Sequence, residues 1–195
     1  MINEDLIQIL PKWDYHGDGS DVNRWSRIHP RFLDHDGCIV DLGCLGWDWS
    51  KYFFDKKRII GVDPQGESHK SCEFFKGALS RYNVKGALIG SDLGAKVAVG
   101  KTGDFDVLSW RKFKTKFSIE NISILKINIE GGEWDLIPTI PKKDFKSIDQ
   151  IAVSFHDWLD HSRVGDTKKC IDNILGCGFE MIDLGIYGWK LFMKK

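Results

Sequence analysis

The segment over residues 122–137, ISILKINIEGGEWDLI, constrains the fold of this chain most strongly. A run of apolar and β-branched residues ends in polar residues and a turn built on Gly131 and Gly132. This pattern predicts a buried parallel strand over residues 122–129 and a helix over residues 133–139. In open α/β sheets, ligands bind in the crevice at the carboxyl ends of such strands. We therefore expect a binding site where this strand ends.

Similar strand-to-turn junctions recur along the chain. An apolar run ends at a glycine turn after residue 42, and another ends at Asp63 and Pro64. Alternation and turn residues predict the remaining elements. Strands are predicted over residues 72–79, 105–109 and 148–155, and a β-hairpin over residues 84–90 and 95–100 around a turn at 91–94. Helices are predicted over residues 46–54 and 166–175, and the pattern of residues 113–120 is ambiguous.

The C-terminal residues distinguish between classes of α/β fold. Residues 179–184 and 187–193 have the composition of two strands joined by only two residues. Such strands must be antiparallel, because a parallel connection needs a dozen residues or more. An otherwise parallel sheet closed by an antiparallel hairpin is typical of class I methyltransferases and not of dinucleotide-binding dehydrogenases. We therefore predict an α/β, Rossmann-like fold with a mostly parallel seven-stranded sheet.

The length of the chain limits the number of domains that it can form. Its 195 residues suffice for one domain with a short extension. We predict an N-terminal helical extension or cap over residues 1–36, with short helices over 5–10 and 22–28, and the main domain over 37–195.

The 28 basic and 28 acidic residues balance, which argues against nucleic-acid binding through a general phosphate-contacting surface.

Cysteine usage and hydropathy indicate a cytoplasmic protein. The five cysteines form no CxxC pair, so neither a zinc site nor a disulfide framework is expected. The first ten residues carry acids where a signal peptide needs positive charge, and no apolar stretch is long enough to cross a membrane.

The first candidate site is Asp41-x-Gly43-x-x-Gly46, after the first strand. Gly43 permits a tight turn and lets the backbone approach a ligand, and Gly46 opens the next helix. Asp41 stands where the dinucleotide fingerprint has its first glycine. An acid there would repel a pyrophosphate but can hold an ammonium, which favours S-adenosylmethionine. The alternative is a purely structural strand–glycine turn.

The second candidate is Asp63, which follows Asp41 by 22 residues. A βαβ unit places an acid at about this interval against ribose hydroxyls. The alternative is that Asp63 only initiates a turn before Pro64.

The third candidate is the end of the strand over residues 122–129. Alternation places Lys126, Asn128 and Glu130 on one side of it. Lys126 should find a partner, because an unpaired buried charge is costly. Glu130 would face the ligand crevice, whereas we expect Glu133 only to complement the dipole of the helix that it begins.

These segments resemble FkbM-type methyltransferases over residues 38–158. ILKINIEGGE is similar to that family's lKiDvEGaE signature and is the most specific piece. Weaker similarities link residues 41–50 to the family pattern DvGanxGxxS and residues 62–64 to the pattern fEP. Residues 77–80 are similar to its Alg/Als stretch, and residues 151–156 to its late iaxExH strand.

The resemblance implies S-adenosylmethionine-dependent O-methylation of a small-molecule or sugar hydroxyl. It implies that Asp41, Gly43 and Gly46 contact the methionine part of the cofactor. A small-molecule acceptor, a carbohydrate among the candidates, would be the partner, with no nucleic acid and no membrane.

The resemblance further implies that Asp63 holds the ribose, with Pro64 and Ala78 near the adenine. Cys44 and Asn128 lie in the matched segments and complete the expected cofactor site. The chain departs from the family pattern at three positions: Asn128 replaces an Asp, Ser154 stands where a Glu is common, and Gly77 lacks an adenine-binding acid.

Methyl transfer to a hydroxyl requires alignment of the acceptor and removal of its proton. Our hypothesis is that His156 or Glu130 is the base and the other positions the acceptor; alternatively, His156 is a capping or core histidine. Oxygen ligands for a cation are available at Asn128, Glu130 and Asp157, but the spacing does not require a metal.

The other function classes are a catalytically inactive S-adenosylmethionine-binding partner protein and, less favoured, an NAD-dependent oxidoreductase.

Overall fold

The computed structural model describes residues 8–9, 27–28, 32, 35–90, 94–185 and 187–195. The strands are, in chain order, β1 (Gln8–Ile9), β2 (Arg27–Ile28), β3 (Cys38–Leu42), β4 (Ile59–Val62), β5 (Glu73–Phe75), β6 (Gly77–Ser80), β7 (Val84–Ile89), β8 (Lys96–Gly100), β9 (Phe105–Ser109), β10 (Ile122–Ile127), β11 (Ile148–Ser154), β12 (Phe179–Asp183) and β13 (Trp189–Lys194). The α-helices are α1 (Trp110–Lys116), α2 (Glu133–Leu136), α3 (Lys142–Phe145) and α4 (Val164–Leu175), and 3₁₀ helices cover Leu45–Trp47, Ser50–Phe53, Ile137–Thr139, His156–Trp158 and His161–Arg163.

A mixed seven-stranded sheet forms the centre of the fold, in the order β12-β13-β11-β10-β3-β4-β5. The five strands from β11 to β5 run parallel to one another. Strand β13 runs antiparallel to both β11 and β12. The fold is therefore mixed α/β, and the prediction of an antiparallel C-terminal hairpin is confirmed.

A second sheet of four strands, in the order β6-β9-β7-β8, stands beside the first. Its β7–β8 pair is antiparallel, so the predicted hairpin is confirmed; its turn at residues 91–93 lies outside the described residues. The prediction of one strand over residues 72–79 is wrong, because the chain changes sheets after Phe75. Gly77 lies so close to the Asp106 carbonyl that a Cβ would overlap it, and this close approach lets β6 pair with β9.

The predicted helix over residues 46–54 is wrong as well. Two short 3₁₀ helices, Leu45–Trp47 and Ser50–Phe53, take its place. Gly46 and Trp47 have φ angles of 71° and 60°, and left-handed residues cannot continue a right-handed helix. The Trp47 indole donates to the Glu67 carbonyl oxygen at 2.7 Å and packs on Gly61. Tertiary packing thus overrides the local helical preference.

Helix α1 covers only residues 113–116 of the segment left ambiguous over residues 113–120. Helix α4 confirms the predicted C-terminal helix. The predicted helix over residues 133–139 changes from α to 3₁₀ geometry at Ile137, where Pro138 has no amide hydrogen to donate.

The central strands β10 and β11 carry the core. Leu125, Ile127 and Ile151 have no exposed surface and pack with the aromatic residues Phe145 and Phe192. Burying each such side chain stabilises the fold by about 1.5–3 kcal/mol. A second cluster on the other side of the sheet contains Ile28, Ile39, Trp49 and Ile124.

The N-terminal helices predicted over residues 5–10 and 22–28 are wrong where the structure describes them. Gln8–Ile9 pairs antiparallel with Arg27–Ile28 instead, and Ile28 is buried against the central sheet. The other residues of those two helices lie outside the described residues, and a capping role stays a prediction. Among the described helices, none has the length and hydropathy needed to traverse a lipid bilayer.

Candidate functional site

A cavity of about 550 Å³ opens at the carboxyl ends of β3, β4 and β10, within the range typical of small-molecule sites. The turn after each strand contributes to its wall, and β6, β8 and the residues before α4 enclose it from other directions. The three junctions singled out in the sequence therefore meet around one space.

Seven of the eight predicted cofactor residues line this cavity, namely Asp41, Gly43, Cys44, Asp63, Pro64, Ala78 and Asn128. Gly46 does not, because it lies in the left-handed bend beyond the wall. Of the two predicted catalytic residues, Glu130 lines the cavity and His156 lies behind it.

Asp41 and Lys126 form a buried ion pair between β3 and β10. Lys126 Nζ lies 2.8 Å from Asp41 Oδ1, with side-chain exposures of 6% and 1%. Ser50 Oγ donates to Asp41 Oδ2. The partner predicted for Lys126 is thus present, and both Asp41 oxygens already have partners inside the protein.

The first turn is fixed to the third by close backbone contacts. Lys126 Nζ donates to the Gly43 carbonyl oxygen at 2.6 Å. Gly43 has a φ of 80°, and a Cβ there would overlap the Asn128 carbonyl oxygen. Glycine is required here by the approach of two backbones. Burial raises the pKa of the neighbouring Cys44 thiol, which therefore remains neutral.

Asp63 organises the second turn through three backbone amides. Its Oδ1 accepts from Gln65 N at 2.7 Å and Gly66 N at 2.8 Å, and its Oδ2 accepts from Leu45 N at 3.1 Å. The turn-initiating role considered for Asp63 is therefore present. A carboxylate offers about four acceptor positions, so one remains for a ligand in the cavity.

Glu130, His156 and Glu133 form a chain of contacts behind the cavity wall. His156 Nδ1 lies 2.8 Å from Glu133 Oε1, and His156 Nε2 lies 3.4 Å from Glu130 Oε2. Glu133 is completely buried and His156 is 5% exposed, whereas the Glu130 side chain is 23% exposed. Both ring nitrogens of His156 thus face a carboxylate.

The protonation of His156 follows from this arrangement. Burial of the ring acts to lower the pKa of His156, but hydrogen bonds and charges from Glu130 and Glu133 outweigh it and raise the pKa to about 9. The imidazole is accordingly a cation at neutral pH. It has no free nitrogen lone pair with which to accept a proton, which weighs against a role as base.

Sequence reasoning missed the role of Glu133, for which only complementation of the helix dipole was expected. Its side chain instead accepts from the His156 amide at 3.0 Å and from the Gly131 amide at 3.0 Å. The only available signal was the second acid of the EGGE segment. The contribution of the β8 hairpin to the cavity through Lys96 and Val97 was also missed, because it depends on how the two sheets are placed.

The charged lining of the cavity is predominantly acidic. Lys126 is paired with Asp41, Arg163 with Asp166, and Asp135 with Arg81. Arg163 also stacks over the Trp134 ring at 4.5 Å. The lining contains six acidic and three basic side chains, namely Asp41, Asp48, Asp63, Glu130, Asp135 and Asp160, and Lys96, Lys126 and Arg163.

Within the part of the chain that the structure describes, no group of three or more His, Cys, Asp or Glu side chains is arranged to hold a metal ion. Comparison of the chain with family models, curated proteins and solved structures finds no match.

Proposed function

We propose that this chain is an S-adenosylmethionine-dependent methyltransferase of class I, Rossmann-like fold that O-methylates a small-molecule or sugar hydroxyl. One observation carries the proposal: the turns after β3, β4 and β10 border a single cavity. These turns contain the segments that resemble FkbM-type methyltransferases. The mostly parallel sheet with its antiparallel C-terminal hairpin is the arrangement expected of a class I methyltransferase.

The electrostatics of the cavity favour a cationic ligand over a dinucleotide. Of the six acidic lining residues, Asp63 and Asp160 are held by amide and hydroxyl donors and not by a paired cation among the described residues. Carboxylates without a paired cation attract a positively charged ligand in a partly buried site. S-adenosylmethionine carries a sulfonium and an ammonium. A pyrophosphate would need amides at a helix N-terminus, but the turn after β3 leads into a 3₁₀ helix of three residues.

Each of these lining residues would contact a different part of the bound cofactor. Asp63 has acceptor capacity for one ribose hydroxyl, and Pro64 and Ala78 offer apolar surface to the adenine. Asp41 would meet the ammonium through water, since its oxygens are occupied by Lys126 and Ser50. The cofactor supplies an activated methyl group, and the protein aligns the acceptor and excludes bulk water.

Calorimetric titration with S-adenosylmethionine, S-adenosylhomocysteine and NAD tests the proposal. We expect micromolar binding of both adenosyl ligands and none of NAD. Ala78→Leu should weaken adenosyl binding at least tenfold, because its side chain enters the cavity without disturbing a hydrogen bond. Ala87→Leu, on β7 outside the cavity, is the matched control. Absence of adenosyl binding by the wild-type protein would refute the proposal.

A catalytically inactive S-adenosylmethionine-binding partner is the second candidate, and Ser154 favours it. Ser154 stands where an acid is common in the family pattern; it is buried and donates to the Tyr187 carbonyl oxygen at 3.0 Å. Incubation with methyl-labelled S-adenosylmethionine and a panel of hydroxyl compounds distinguishes the two. A methylated product establishes the enzyme, and tight binding without transfer to any acceptor favours the inactive partner.

A further inference from the structure

Glu133 connects to Glu130 by two separate routes. Its Oε1 accepts from the backbone amide of His156 at 3.0 Å and lies 2.8 Å from His156 Nδ1, and His156 Nε2 faces Glu130. Its Oε2 accepts from the amide of Gly131, directly after Glu130, at 3.0 Å. One buried carboxylate thus restrains both the side chain and the backbone of the acid in the cavity wall.

The backbone at Glu130 needs such restraint. Glu130 and Gly131 have φ angles of 52° and 96°. The left-handed conformation is unfavourable for a residue with a Cβ and persists only where the surroundings impose it. The bond from the Gly131 amide to Glu133 holds this bend and directs Glu130 towards the cavity.

We propose that Glu133 and His156 are positioning residues, which hold Glu130 in the cavity wall as the base that accepts the proton of the acceptor hydroxyl. The inference rests on the proposed function. As the acceptor oxygen bonds to the methyl carbon, its O–H bond breaks and the proton passes to a Glu130 oxygen. The methyl–sulfur bond breaks at the same time, and its electron pair remains on sulfur.

Within the described part of the chain, the charged groups that act on the His156 ring are Glu130, from the turn after β10, and Glu133, from α2. Cys170 of α4 lies near the Glu133 backbone, with Sγ 3.9 Å from the carbonyl oxygen. Burial raises the pKa of Cys170 to about 12, so it is neutral across the relevant pH range.

Nuclear magnetic resonance of the full chain tests the positioning role without a known acceptor. The ¹⁵N shifts of the His156 ring and the carboxyl ¹³C shift of Glu130 are followed from pH 6 to about pH 10. We expect both ring nitrogens to be protonated at neutral pH, and both residues to respond at one midpoint near pH 9. In Glu133→Gln, this shared midpoint should fall by about one pH unit or more.

Two further variants keep the experiment decisive. Glu180→Gln, on half-buried β12 away from the cavity, should leave the midpoint unchanged. If Glu133→Gln does not fold, Glu130→Gln should also lower the His156 midpoint, since it removes one of the two carboxylates. A singly protonated His156 ring in the wild-type protein at neutral pH would overturn the proposal. A Glu130 carboxyl shift that does not change as His156 titrates would overturn it as well.

The same sample separates this inference from the proposed function. S-adenosylmethionine is titrated into the wild-type protein by calorimetry. Binding together with independent responses of His156 and Glu130 would overturn the positioning role and leave the proposed function intact. A shared midpoint without binding would establish the linked carboxylates and refute the methyltransferase.

Discussion

Lys126 and Asp41 stand directly opposite each other on the neighbouring parallel strands β10 and β3, and their side chains form an ion pair with an Nζ–Oδ1 distance of 2.8 Å. Lys126 also donates to the Gly43 carbonyl oxygen at 2.6 Å. The pair therefore joins the sheet to the first turn of the cavity. Its burial means that each charge depends on the other for stability.

Lys126→Met should destabilise the fold by about 3–5 kcal/mol, because it leaves the Asp41 charge buried without its partner. The measurement is the free energy of unfolding from urea denaturation. The double variant Lys126→Met with Asp41→Asn should recover a large part of the loss, since it removes the uncompensated charge. A single variant within 1 kcal/mol of the wild type would contradict this account of the pair.

Gly43→Ala should be far more harmful than Gly46→Ala. Both glycines have left-handed φ angles, 80° and 71°, but only at Gly43 would a Cβ overlap a backbone carbonyl, that of Asn128. We expect Gly46→Ala to cost about 1–2 kcal/mol from backbone strain alone. Gly43→Ala should cost more and also weaken adenosyl binding, because the turn must move. Thermal unfolding and calorimetry compare the two, and equal losses would refute the steric argument.

Local patterns in the sequence predicted the elements whose character depends on nearby residues. The β7–β8 hairpin and the C-terminal hairpin are present, because alternation and connection length determine them. The strand predicted over residues 122–129 is present as Ile122–Ile127, so its last two residues belong to the turn. The partner of Lys126 could be anticipated because burial of a charge requires one, although its identity as Asp41 depends on the strand register.

The features that were missed depend on contacts distant in sequence. Glu133 meets His156 across 23 residues, and nothing around Glu133 indicates this. The left-handed Trp47 is imposed by packing on Gly61, and the change of sheet after Phe75 is set by Gly77 against Asp106. Local propensity cannot report such constraints.

The stability of the protein should fall as pH rises from about 6.5 to beyond 9, owing to His156. Its folded-state pKa of about 9 lies above the ordinary value of 6.5. The contribution is therefore fully present below pH 6.5 and is lost as pH rises through 9; linkage gives an upper size of about 3 kcal/mol. Urea denaturation of wild type and His156→Gln at several pH values measures the difference. A difference independent of pH would contradict the raised pKa.

Glu130→Gln should weaken binding of S-adenosylmethionine more than that of S-adenosylhomocysteine. The two ligands share the adenosine and amino-acid groups, and only the first carries a positive sulfur. The His156 cation balances part of the Glu130 charge. A remaining interaction of about 1 to 1.4 kcal/mol with the sulfonium would give a selective loss of about fivefold to tenfold. Asp135→Asn is the matched control, because Asp135 also lines the cavity but its side chain is 60% exposed and paired with Arg81 at 2.9 Å, so that solvent screens its charge. Equal losses for both ligands would show that the Glu130 carboxylate has no electrostatic interaction with the positive sulfur.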